Sequence, residues 1–159
     1  MTESRKGFLV RLMAGKQATS KPRTGLRVVL GAMLAYAGIS HVTVARPEFQ
    51  AQVPEFVPLD PDFVVVASGI AEMTLGAALV FLARRRVPVG WLVALFFVAV
   101  FPGNLAQWLH ARDGFGLDTD SKRFVRLFFQ PALIAAVLWS TGAWRDRPRT
   151  GAQQADATS

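Results

Sequence analysis

Six side chains in the apolar parts of this sequence could do chemistry: His41, Glu72, Asn104, Gln107, Arg126 and Gln130. Glu72 sits near the middle of FVVVASGIAEMTLGAALVFLA, residues 63–83, a run that is apolar but for short hydroxyls and this one carboxylate. An acid at mid-bilayer depth is costly, so it is expected to face the interior of a helix bundle and to meet a partner there. Arg126 and Gln130 stand at i, i+4, and Asn104 and Gln107 one turn apart, so each pair shares a helix face. Two readings of the six stand side by side. In the first, Glu72 and Arg126 neutralise each other and the amides satisfy backbone carbonyls freed by Pro102 and Pro131. In the second, the cluster lines a pocket open to the outer membrane face that binds a small polar or quinone-like molecule. His41 reads as a hydrogen-bonded interface residue. His110 is the only other histidine and cysteine is absent, so no metal site is expected.

Composition narrows the classes. Of 159 residues, 52% are hydrophobic and 18% charged, below the roughly 25% charged of soluble domains. Of the 29 charged residues, only Glu72 and Arg126 lie well inside the apolar segments. The absence of cysteine excludes dithiol redox chemistry, disulfides and thiolate metal ligation. The net charge of +7 comes from basic residues clustered beside apolar segments, which reads as membrane topology and not as a nucleic-acid interface. The glycines form no phosphate-binding fingerprint.

The elements that must position the six residues are four apolar segments, at about residues 26–44, 63–83, 89–109 and 124–144. Each is long enough to cross a bilayer as a helix, at about 1.5 Å per residue. The fold class expected is all-α: a polytopic membrane protein, an antiparallel bundle of four transmembrane helices occupying residues 26–144. Residues 1–25 read as a basic tail, in which GFLVRLMAGK has the pattern of a short interfacial helix and a disordered tail stands as the other reading. Residues 145–159 read as a disordered tail. In the first segment Gly31, Leu34, Gly38 and His41 share a face, and its small residues invite close approach by a neighbour. Arg46-Pro47 is expected to stop that helix. The loop PEFQAQVPEFVPLDPD holds four prolines and four acids, which argues against regular helix, and its apolar residues suit it to fold back over the bundle mouth. Arg84, Arg85 and Arg86 join the second and third segments by a turn short enough for an antiparallel hairpin. Pro102 predicts a kink in the third segment. Lysine and arginine are divided 13 to 4 between the two sides of such a bundle. Both termini and the triple arginine are therefore expected to be cytoplasmic.

At these residues the chain resembles the DoxX-like family of small four-helix membrane proteins. The pieces are GISH (Gly38 to His41), RPEFQAQVPEFVP after it, SGIAEMTLG (Ser68 to Gly76), FPGN (Phe101 to Asn104) and RLFFQ (Arg126 to Gln130). Their order and spacing, over roughly residues 25–145, carry the resemblance. The chain departs from the family pattern at Val42, Gly103 and Phe128, with its fourth-segment proline later, at Pro131. The resemblance implies a membrane subunit linked to quinone-dependent oxidoreductases or a membrane partner of a redox enzyme. It places His41, Glu72, Asn104, Arg126 and Gln130 on the family's polar positions. The expectation is an accessory subunit or small-molecule-binding module of the bacterial plasma membrane, in redox or stress metabolism and not a stand-alone enzyme. Quinone is the one cofactor in view. A redox-enzyme partner or a second copy of the chain would bind beside the lipid bilayer. A proton-coupled carrier using Glu72 and a purely structural scaffold stand as alternatives.

Overall fold

The structure is a computed structural model that describes residues 19–50, 52–112, 114 and 116–145. Apart from Arg145, the expected interfacial helix and disordered tail lie outside the described residues. Every regular element among the described residues is a helix: α1 (Lys21–Val42), α2 (Arg46–Gln50), α3 (Pro61–Phe81), a 3₁₀ turn (Ala83–Arg85), α4 (Arg86–Leu109) and α5 (Asp120–Thr141). Four of these helices, α1, α3, α4 and α5, are long and apolar enough to cross a membrane. Large apolar side chains such as Met33, Tyr36, Phe81, Leu95 and Phe128 cover the outside, while arginine, glutamate and amides are buried within. This inversion of the usual soluble pattern marks a membrane protein.

Helix ends follow local chemistry more closely than the apolar runs do. Each long helix starts before its run, because a first turn tolerates proline and polar side chains. Pro22 lies in the first turn of α1 and Pro61 opens α3. The Asp60 carboxylate accepts the backbone N–H groups of Asp62 at 2.9 Å and Phe63 at 3.1 Å, capping α3. Thr119 caps α5 through the N–H of Lys122, and Gly142, at φ 74°, closes it in the left-handed region. Two expectations are corrected. Arg46-Pro47 does not stop α1, which already ends at Val42; it opens α2, where proline sits in the first turn and forfeits no helical bond. The proline-rich loop therefore contains one short helix. α4 and α5 also run on past Pro102 and Pro131 without a break.

The packing is two pairs of helices. α1 packs against α3 and α4 against α5, α1 also touches α5, and the consecutive α3 and α4 make little contact. The expected hairpin of the second and third segments is thus a connection and not a packed unit. Glycine is the reason. Gly31 of α1 lies against Gly76 of α3, and Gly38 against Gly69, so closely that a Cβ on any of the four would come within 3.0 Å of the partner's backbone. Helices in lipid associate through such close backbone approach, because burial of apolar side chains gains little there. Gly90 makes the corresponding room for Thr141 between α4 and α5. Between the pairs lies a core of Leu30, Leu34, Leu79, Val89, Val93, Phe97 and Val137.

The start of α1 and the end of α5 share one end of the bundle. There the Arg27 guanidinium donates to the Val80 carbonyl at 3.2 Å, and Arg23 stands 4.9 Å from the centre of the Trp139 ring. The opposite end carries the long loops.

Candidate functional site

A cavity of about 1020 Å³ lies between the two helix pairs. Leu79, Val93 and Val137 line it toward the termini end, and Gln52, Val53 and Pro54 of the loop after α2 line it at the other end. Five of the six expected residues, His41, Glu72, Asn104, Arg126 and Gln130, line it. Gln107 does not. It is 2% exposed, and its carbonyl oxygen accepts from the Gln52 side chain at 3.0 Å, tying the loop to α4.

Each side chain is aimed by its helix. Glu72 lies on the same face of α3 as Gly69 and Gly76, so it points at α1. Its Oε2 stands 3.1 Å from His41 Nδ1, which also lies 2.8 Å from the Ala37 carbonyl oxygen, the better-aligned acceptor. His41 and Glu72 are 7% and 8% exposed. The Phe49 ring, brought over by α2, stacks on His41 with ring centres 3.3 Å apart and covers the couple from the loop side.

The expected Glu72–Arg126 pair is not formed within 4.0 Å; the carboxylate is beside His41 instead. The reason is rotational: the glycine face that draws α3 onto α1 carries Glu72 with it, while Arg126 projects from α5 across the cavity. Arg126 makes no hydrogen bond or ion pair among the described residues, and its Nε is buried.

The amides form a chain of their own. Asn104 donates to Gln130 Oε1 at 2.7 Å, and Gln130 Nε2 donates to the Phe97 carbonyl at 2.6 Å. That carbonyl adjoins the one at Val98, which Pro102 deprives of its helical donor. Asn104 and Gln130 thus brace α4 against α5 and also present polar edges to the cavity.

At the rim, Lys122 donates to Asp118 at 2.6 Å and holds its carboxyl below the usual carboxylate range through that hydrogen bond. The lid is held from several directions. Arg46 bridges to Asp62, Gln50 donates to Asp62 at 2.9 Å, and Arg112 donates to the Val53 carbonyl at 3.0 Å and to Glu55 at 2.6 Å. Phe49 and Gln52 had no place in the sequence reading as site residues. The only signal was the apolar character of the loop, which does not say which residue reaches inward. The described residues contain no group of three or more histidines and acids placed to hold a metal ion.

No curated protein and no solved structure matches the chain. One family matches residues 30–141, well over half of the sequence, and covers every residue that lines the cavity. The chain belongs to that family, described as Domain of unknown function (DUF8561).

Proposed function

We propose that this chain is an integral membrane binding module for a small amphipathic molecule, quinone-like in joining a polar head to an apolar body. It serves as an accessory subunit in redox or stress metabolism and does not catalyse alone. One observation carries the reading: the cavity of about 1020 Å³, walled mostly by apolar side chains and carrying His41, Glu72, Asn104, Arg126 and Gln130 among its few polar ones. Its size and its few convergent polar groups match the general form of small-molecule sites. The link to redox metabolism rests on the resemblance to DoxX-like proteins at His41, Glu72, Asn104, Arg126 and Gln130.

The test uses the full chain in mild detergent with a short-chain benzoquinone as probe, followed by native mass spectrometry. Leu133, half-buried on the cavity wall, is replaced by tryptophan to fill the space. Retention of the probe by the natural protein and at least about tenfold weaker retention by Leu133→Trp is the expected result. Equal retention by both would remove the cavity from consideration.

The reading takes the membrane to be the bacterial plasma membrane, and the 13-to-4 division of basic residues supports an orientation with both termini cytoplasmic. The chain has no cysteine of its own, so single cysteines report cleanly. Gly116→Cys is expected to react with an impermeant thiol reagent in intact cells, and Arg85→Cys to react only after lysis. The opposite pattern would invert the topology.

A further inference from the structure

Down the wall of the cavity, α5 presents Lys122, Arg126 and Gln130 at successive turns, and all three line the space. Two of them are engaged. Lys122 is on Asp118, and Gln130 is braced between Asn104 and Phe97. Arg126 is the exception. Its guanidinium offers five N–H donors, and the described residues give it no hydrogen bond and no acid within 4.0 Å.

The carboxylates of the loop end are committed to other partners. Glu55 is held by Arg112, Asp62 by Arg46, Asp118 by Lys122 and Asp120 by Arg123. Glu72 faces Arg126 across the cavity and is felt by it, but stands beside His41. The other groups facing Arg126 from α1 and α4 are His41 and Asn104, neither of them an acid. A guanidinium in an apolar cleft is stabilised most by a planar anion that accepts two parallel hydrogen bonds. Below it on α5, over about 16 Å of helix, the side chains that line the cavity are Phe129, Gln130, Leu133 and Val137, apolar but for the one amide; Glu72 lines the opposite wall from α3.

We propose that the ligand is an amphipathic carboxylate whose head sits on Arg126 and whose chain runs down to Leu79, Val93 and Val137. The proposal rests on the reading of the cavity as a ligand site and narrows its head group to an anion. Lys122, one turn nearer the rim, adds positive charge along the way in.

The experiment compares three probes on the full chain in nanodiscs of neutral lipid: a long-chain alkyl carboxylate, the alcohol of the same chain length, and the short-chain benzoquinone. The carboxylate is expected to bind at least about tenfold tighter than the alcohol, the worth of a charge-assisted hydrogen-bonded pair. Arg126→Gln abolishes that preference while alcohol binding persists, and Arg126→Lys, which keeps the charge but not the fork, restores only part of it. Equal binding of carboxylate and alcohol by the natural protein would overturn the proposal without any variant. So would a preference that survives Arg126→Gln. If the quinone binds and Leu133→Trp expels it while the carboxylate shows no advantage, the cavity stands as a site and only the anionic head is refuted. If none of the three binds, both readings fall.

Discussion

Adding a single methyl group at Gly38 is expected to lower the thermal stability of the detergent-solubilised protein by about 3 kcal/mol. A Cβ there would lie 2.5 Å from the Gly69 carbonyl oxygen and 2.8 Å from the Met73 backbone nitrogen. Neither neighbour is the end of a flexible side chain. The helices must separate, and separation also loosens Gly31 from Gly76 one turn pair away. Gly25, earlier on the same helix, is the control, since a Cβ there meets nothing within 4 Å. Gly25→Ala should leave the melting temperature unchanged or raise it slightly, alanine being the better helix former. Equal melting of the two variants would show that the glycine faces do not hold α1 to α3.

The second large effect concerns the buried acid. His41→Ala is expected to cost roughly 3 kcal/mol, because it strips the Phe49 stack and leaves Glu72 without the ring beside it. A double-mutant cycle with Glu72→Gln separates the two causes. The pair should show a coupling of roughly 1–3 kcal/mol, as contacting residues do. The cycle between Glu72→Gln and Arg126→Gln should show a smaller coupling than the His41 cycle, since those two charges act on each other only through space, with no ion pair within 4.0 Å. Thermal melts of the five variants, three single and two double, measure both cycles. A coupling to Arg126 as large as that to His41 would restore the ion pair that the geometry denies.

These two expectations mark how much of the molecule was legible beforehand. The four helices were plain, because apolar runs of bilayer length admit few other structures. Their starts were displaced because Lys21, Pro22 and Pro61 look like loop residues yet suit a first turn. The gathering of His41, Glu72, Asn104, Arg126 and Gln130 around one space followed from depth alone. Pairing within that space did not, because it depends on helix rotation, and depth says nothing of rotation. The missing information was nonetheless present. Gly69, Glu72 and Gly76 fall on one face of α3, just as Gly31, Gly38 and His41 do on α1, and matching the two faces would have joined Glu72 to His41. Gln107 was misplaced for a different reason. Its partner, Gln52, lies in an irregular loop whose path no periodicity encodes.

The pairing of α1 with α3 also bears on the order in which the chain is made. His41 is synthesised 31 residues ahead of Glu72, and Arg126 follows 54 residues behind it. At roughly 5–20 residues per second, a wait for Arg126 would last roughly three to eleven seconds. When Glu72 emerges from the ribosome, the helix carrying Gly31, Gly38 and His41 has already been delivered, and the acid can be received at once. The residue most costly to leave alone in lipid is the one whose companion precedes it in translation.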